Sequence, residues 1–392
     1  MNVIRTTPPR PVDVPAVFPQ LAPLARTATR LHPRPGSPSP QDSSVGGPLL
    51  WPADEPWPHC DGPHMWDQVN EILSPEDVRL RRRIRAAVAS RPHLDRRLPP
   101  SAYYTPEERA NAERIEAGRP WPESPIAMLP VAQLYVRDIP LLRPPGQAEA
   151  DLLQILWCPF DHPIMPRTAL FWRSAAAVTD ILTTPPEPPT VQFSDYVLEP
   201  CLLDPERITE YPNPMELSKE LREPLRDWST WQAADAGVDS SYTPYPEEFY
   251  RNNLSVAPGW KVGGWASWGP TDPAPRFCPA CDTEMDPLLT IATFEWDDST
   301  RSWIPDEDCE GQAPARPSFT HTRPEAQTMI DLLRAAGYVK VGRVPGGQAR
   351  ATLRITDSVP RQPTAVQIGR SDRQQLYVCP TSPEHPHTEL MQ

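Results

Sequence analysis

Val45-Gly46-Gly47-Pro48-Leu49-Leu50-Trp51 and Val262-Gly263-Gly264-Trp265-Ala266-Ser267-Trp268 carry one pattern twice: valine and a glycine pair, then three residues, then tryptophan. Each copy runs through a proline-rich connection to a cysteine with a second candidate ligand close behind. In the first these are Cys60 and His64; in the second, Cys278 and Cys281. Further along, each half offers an apolar strand that ends in cysteine and leads to histidine: Leu152-Leu153-Gln154-Ile155-Leu156-Trp157-Cys158 with His162, and Gln375-Leu376-Tyr377-Val378-Cys379 with His385. Chance can supply one such pattern, but two in register with two later Cys/His pairs argue for an internal duplication. The repeated units span 43–175 and 258–392, the first with a helical insertion at 66–120. Residues 176–257 connect them, and residues 1–42 form a proline-rich strap, irregular around Pro33–Pro40.

Composition narrows the classes around this repeat. Of 392 residues, 57 are proline and only 17 glycine, which excludes collagen and disfavours long helices. A net charge of −13 repels phosphate backbones, so nucleic acid is not an expected partner. The start, Met1 to Pro8, has no apolar core of the export type, and the most apolar stretch, Leu152–Phe160, is about half a membrane span. We expect a cytoplasmic protein without membrane contact. Its seven cysteines, an odd number, do not suggest a disulfide framework.

Helices announce themselves by caps. Ser74-Pro75-Glu76-Asp77, Thr105-Pro106-Glu107-Glu108 and Asn213-Pro214-Met215-Glu216 each place a capping oxygen before proline at the first helical position. Another helix is expected at Pro324–Ala336. Strands are expected at Val131–Val136, Leu152–Cys158, Ala169–Trp172, Val191–Val197, Leu288–Phe294, Ala351–Thr356 and Gln375–Cys379. Without a regular βαβ alternation, this predicts an α+β fold, mainly antiparallel, in two pseudo-symmetric repeated lobes with helical insertions.

A zinc site takes about four thiolate or imidazole donors, commonly in two short-spaced pairs that clip distant segments together. The repeat yields two such sets: Cys60, His64, Cys158 and His162 in one half, and Cys278, Cys281, Cys379 and His385 in the other. Cys201 and Cys309 are left over. If bound, the metal is structural, because protein fills every position. The competing reading is that these are buried thiols and ordinary loop histidines.

These residues resemble the YwqG-like proteins of bacteria, relatives of the eukaryotic programmed-cell-death-two proteins. The resemblance rests on the GG-x3-W loops, Val131-Ala132-Gln133-Leu134, Leu152-Leu153-Gln154-Ile155, Cys278-Pro279-Ala280-Cys281 and Leu288-Leu289-Thr290-Ile291. It departs from the family at Thr290, where glutamine is usual. The resemblance implies a pseudo-symmetric β-rich fold with a groove between its halves, and a role in holding a protein client, as the eukaryotic relatives hold a ribosomal protein. It supplies no catalytic residues.

The residues themselves agree in kind. Paired glycines suit a tight turn where backbone meets backbone, with the aromatic ring covering the site. A groove lined by Gly46, Gly47, Trp51, Gly263, Gly264, Trp265 and Trp268 on an acidic protein suits an extended cationic peptide, although each tryptophan taken singly reads as core. No GxSxG, P-loop, HExxH or dinucleotide-binding turn is present. The expected function is therefore non-enzymatic, chaperone-like binding of a peptide or protein segment. The alternatives are an immunity protein that neutralises a toxin, and an enzyme built on Cys158/His162 or Cys281.

Overall fold

The computed structural model describes residues 5–392 except 65–71, 92–98, 121, 123–124, 145–148, 163, 239, 241–242, 270, 309–340, 344–348 and 352–360. The expected helix at Pro324–Ala336 and most of the expected strand Ala351–Thr356 lie outside the described residues, as does Cys309.

The fold is α+β with antiparallel sheets. In chain order the strands are β1 (Arg26–Arg30), β2 (Arg34–Pro35), β3 (Ser44–Val45), β4 (His59–Cys60), β5 (Ile126–Ala127), β6 (Leu129–Tyr135), β7 (Leu152–Asp161) and β8 (Pro166–Arg173). They continue with β9 (Cys201–Leu202), β10 (Glu206–Glu210), β11 (Lys261–Gly263), β12 (Asp286–Ala292), β13 (Val341–Arg343), β14 (Ala349–Ala351), β15 (Arg373–Val378) and β16 (Thr388–Met391). One six-stranded sheet runs β2-β9-β3-β6-β7-β8 and the other β10-β1-β11-β12-β15-β16.

The last four strands of each order fall within the expected repeat units, and a register shift follows a proline in each. In the β6–β7 pair the register shifts between Pro130 and Ala132; in the β12–β15 pair it shifts between Pro287 and Leu289. Proline has no N–H for the ladder, so a bulge is where it is tolerated. Gln133 then lies opposite Gln154, and Thr290 opposite Gln375.

The first two strands of each order come from the strap and the connector. β1 pairs with β11 in one sheet, and within the stretch Pro33–Pro40, otherwise irregular as expected, Arg34–Pro35 forms β2, which joins the edge of the other sheet through β9. The connector returns the arrangement, β9 pairing with β3 and β10 with β1. Each unit is thus flanked by a strand that precedes the other unit. The expected strand at Val191–Val197 is instead an isolated bridge at Val191 and a 3-10 turn at Ser194–Tyr196. The later part of the connector, from Tyr211 to Leu254, folds with the strap into a small apolar cluster in which Phe18 and Leu21 meet Trp231, Phe249 and Tyr250.

Side chains alternate along a strand, and that alternation sorts the core. Leu153, Ile155 and Trp157 of β7 share one large cluster with Leu289 and Ile291 of β12 and Leu376 of β15, so both sheets contribute to a single core. Gln154, Leu156 and Cys158 point to the opposite face, as do Gln375, Tyr377 and Cys379. The caps form as expected: Ser74 Oγ accepts from Asp77 N–H at the start of the helix Pro75–Ala89, and Thr105 closes a capping box on Pro106–Glu116. At Asn213 the capping box closes a single 3-10 turn, Pro214–Glu216. No helix among the described residues is long and apolar enough to cross a membrane.

The glycine turns are sterically demanding. Gly46 and Gly263 adopt φ of +62° and +66°, the left-handed region that other residues enter at a cost. At Gly264, with φ +74°, an added Cβ would lie 2.3 Å from Glu210 Oε2 and 2.7 Å from Ala28 Cβ. Glu210 cannot readily give way, because it is paired with Lys261 and both side chains are fully buried. Lys261 Nζ donates to both Glu210 oxygens and to Trp265 C=O at 2.7 Å, while Glu210 also accepts from the N–H groups of Ala257 and Trp265. A buried pair is tolerated when its hydrogen-bonding capacity is met in this way.

We predict that Gly264→Ala lowers unfolding stability by about 3 kcal/mol, combining the left-handed penalty with overpacking. Gly237→Ala, at φ +70° with no heavy atom within 4 Å of the added Cβ, carries only the backbone penalty of about 1 kcal/mol. Chemical denaturation of the two variants checks this, and equal losses would contradict it.

Candidate metal centres

The outer faces of β7 and β15 each present glutamine and, four residues on, cysteine. Gln154 donates to Leu50 C=O at 2.9 Å and to Gln133 Oε1 at 2.9 Å, and Gln133 Oε1 in turn accepts from Leu50 N–H at 2.6 Å. In the other unit Gln375 makes both backbone bonds itself, donating to Ser267 C=O at 2.9 Å and accepting from Ser267 N–H at 3.2 Å. Leu50 and Ser267 are the residues immediately before Trp51 and Trp268. The glutamines therefore tie each glycine-turn segment across its hairpin, and the chain leaving that segment passes the cysteine at the strand's end.

There the predicted donors meet. One potential ligand atom from each of Cys60, His64, Cys158 and His162 lies within 4.8 Å of all the others, and the same holds for Cys278, Cys281, Cys379 and His385. The closest approaches are Cys60 Sγ to His162 Nε2 at 3.5 Å, Cys281 Sγ to Cys379 Sγ at 3.5 Å, and His385 Nδ1 to Cys379 Sγ at 3.4 Å and to Cys278 Sγ at 3.6 Å. A tetrahedron with metal–sulfur bonds near 2.3 Å and metal–nitrogen bonds near 2.0 Å has edges of roughly 3.3–3.8 Å. The donor separations fit a bound ion of that kind.

Local backbone favours the thiolate forms. Cys60 accepts from Gly62 N–H, Cys158 from Phe160, Cys278 from Ala280 and Cys379 from Thr381, each two residues ahead. In the Cys278–Cys281 turn, Cys278 N–H donates to Thr283 C=O and Asp282 N–H to Cys278 C=O, both at 2.8 Å, with Asp282 at φ +56°. Cys60 is held well below the ordinary thiol range first by the hydrogen bond from Cys158 and then by His162 and Gly62; the same sharing pushes Cys158 up. Burial raises Cys278. Burial also opposes ionisation of Cys379, but the N–H of Thr381, the His385 ring and the N–H of Ser382 bring it down to about 6. The Thr283 hydroxyl and N–H lower Cys281, and His385 is raised by its bonds to Cys379 and Cys281.

The tryptophans cover these clusters. Trp51 shares an apolar cluster with Cys60 and Cys158, and Trp268 packs on the cluster containing Cys278 and Cys379. Trp51 is 1% exposed and packed, tilted against Trp57 and edge-on to Phe171, beneath the Arg173 guanidinium, which corrects its expected place on a groove wall. Gly46 and Gly47 are likewise packed: a Cβ on Gly46 would meet Glu199 C=O at 2.9 Å, and one on Gly47 would meet Pro38 Cγ at 2.6 Å. Trp265 is half-buried beneath Arg26, 3.6 Å from its ring centre, and donates to Leu24 C=O. Cys158, the sulfur of the Cys158/His162 enzyme reading, is 0% exposed. Asp161 is buried too and accepts from the Tyr196 hydroxyl at 2.6 Å.

One set of residues was not anticipated. His387, two residues beyond His385, lies 2.9 Å from Thr168 Oγ1, and Glu389 accepts from Thr168 N–H. Gln374 donates to Pro166 C=O at 2.9 Å. The hairpin that carries each unit's second Cys/His pair therefore meets its counterpart from the other unit.

In metal-free protein, thiolate absorbance should show a step centred near pH 6 that Cys379→Ser removes. The sign follows from the depressed value: the stabilisation from this thiolate is complete above the unfolded thiol range, about 8.5, and is lost as pH falls through about 6. A single step in the ordinary thiol range would contradict the geometry. No protein-family model matches the chain, and no curated protein matches it either.

Proposed function

We propose that the chain is a two-zinc protein of the YwqG-like kind, whose metals are structural and whose role is to hold a cationic peptide or protein segment. The observation that carries the metal reading is closure. Each cluster draws four donors from this chain, from segments about a hundred residues apart, and four protein donors leave a tetrahedral zinc no open position for a substrate. Cys60, His64, Cys158 and His162 would hold one ion, and Cys278, Cys281, Cys379 and His385 the other. Zinc there cross-links each glycine-turn segment to its central hairpin, a contribution to folding rather than to turnover.

The binding role is supported by the net charge of −13, which attracts cationic chain segments over a Debye length of about 8 Å. With Trp51 in the core, the aromatic contact surface in this reading is the partly exposed Trp265 and Trp268. Protein purified without added metal should contain two equivalents of zinc by mass spectrometry; less than about 0.2 would overturn the metal reading, because closed sites of this type retain their ion. Cross-linking from position 268 followed by peptide identification tests the binding role. A basic intracellular client supports it; a single secreted-type toxin would replace it with immunity, and no partner would overturn it.

A further inference from the structure

The two clusters share an architecture but differ in access. In the first, Cys60 and Cys158 are 5% and 0% exposed, and His64 is 7% exposed. In the second, Cys379 is 1% exposed, but Cys281 lies at the surface. The turn accounts for the difference: the bonds of the Cys278 and Asp282 backbone fold Cys278 inward and leave Cys281 on the outer rim. His64 stands in the corresponding place of the first unit, so only the second cluster combines a surface sulfur with a second sulfur beside it. That second sulfur, Cys379 Sγ, is 3.5 Å away. A disulfide needs a separation of about 2.05 Å, so the sulfurs must close by roughly 1.5 Å. An exposed turn can supply that movement without disturbing β15.

We propose that Cys281 and Cys379 are an oxidant-sensitive pair that dismantles the second metal site while the first persists. The Cys281 thiolate attacks one oxygen of hydrogen peroxide; the O–O bond breaks, a sulfenic acid forms, and the departing hydroxide takes a proton to become water. The Cys379 thiolate then attacks the sulfenic sulfur, forming the S–S bond and expelling a second hydroxide, which is protonated in turn. Two electrons pass from the two sulfurs to the peroxide. With two of its four donors joined to each other, the second site no longer offers a zinc coordination set. Its location gives the change a structural consequence, because the same hairpin carries His387 and Glu389 to Thr168 at the contact between the two sheets.

This inference rests on the proposed zinc binding, and the experiment separates the two. Zinc is first counted in untreated protein; the sample is then exposed to hydrogen peroxide, released zinc is followed with a chromogenic chelator, and disulfides are mapped in unreduced peptides. The expected result is release of one of two equivalents together with a Cys281–Cys379 linkage, while Cys60 and Cys158 remain alkylatable after unfolding. Simultaneous release of both equivalents, or release without that linkage, overturns the inference. Absence of zinc at the outset counts against the metal reading instead, and the linkage is still scored in the same peptides. Cys281→Ser should start with the first-site equivalent and release none, whereas Cys201→Ser, altered at a buried thiol outside both clusters, should behave as the unaltered chain. Peroxide-driven release from Cys281→Ser would contradict the assignment.

Discussion

Two buried glutamine amides set the geometry from which the candidate sites follow. Gln154 and Gln375 are 0% and 1% exposed, and each bonds the backbone of the residue before a tryptophan. A buried amide left unbonded is costly, so this clamp fixes one position of the glycine-turn segment against the central hairpin. Everything downstream inherits that distance. The alternation of a strand puts a cysteine on the same face four residues later, and the segment leaving the clamp delivers its own Cys/His or Cys/Cys pair to meet it.

A second constraint keeps the two units together. Their sheets share one apolar core, and the flanking strands are exchanged: β1 pairs with β11 of the second unit, and β9 with β3 of the first. The exchange buries charge. Lys261 and Glu210 neutralise each other beside β1, and Arg30 on that strand is held by Thr7 and the Trp303 carbonyl. The Lys261–Glu210 pair resists rearrangement because separating it leaves an uncompensated charge in the core. The hairpins that carry the Cys/His clusters then meet at Thr168 and His387, so the two candidate centres lie on either side of a contact between the sheets.

What could be read in the sequence was what repeats. The two Cys/His clusters and the glycine turns followed from spacing, because Cys and His at fixed offsets, occurring twice in register, point to residues brought together in space; the mainly antiparallel class followed from strand candidates without a βαβ alternation. The exchanged strands were not legible. Arg26-Thr27-Ala28-Thr29-Arg30 is short and polar, and its outer residues look solvated; Arg30 is buried only because Thr7 and Trp303 reach it from distant parts of the chain. Trp51 was misplaced for a related reason: an indole that covers a binding site and one sealed within a core have the same local sequence, and only the neighbours Trp57, Phe171 and Arg173 distinguish them. The Thr168–His387 contact joins residues far apart in the chain and carries no motif.

X-ray absorption at the zinc edge of the purified protein tests the central claim most directly. Two closed sites built from these residues predict five sulfur and three nitrogen ligands shared between two ions, at about 2.3 and 2.0 Å, with four-coordinate geometry. A shell dominated by oxygen at six-coordinate distances, or one lacking sulfur, would contradict it.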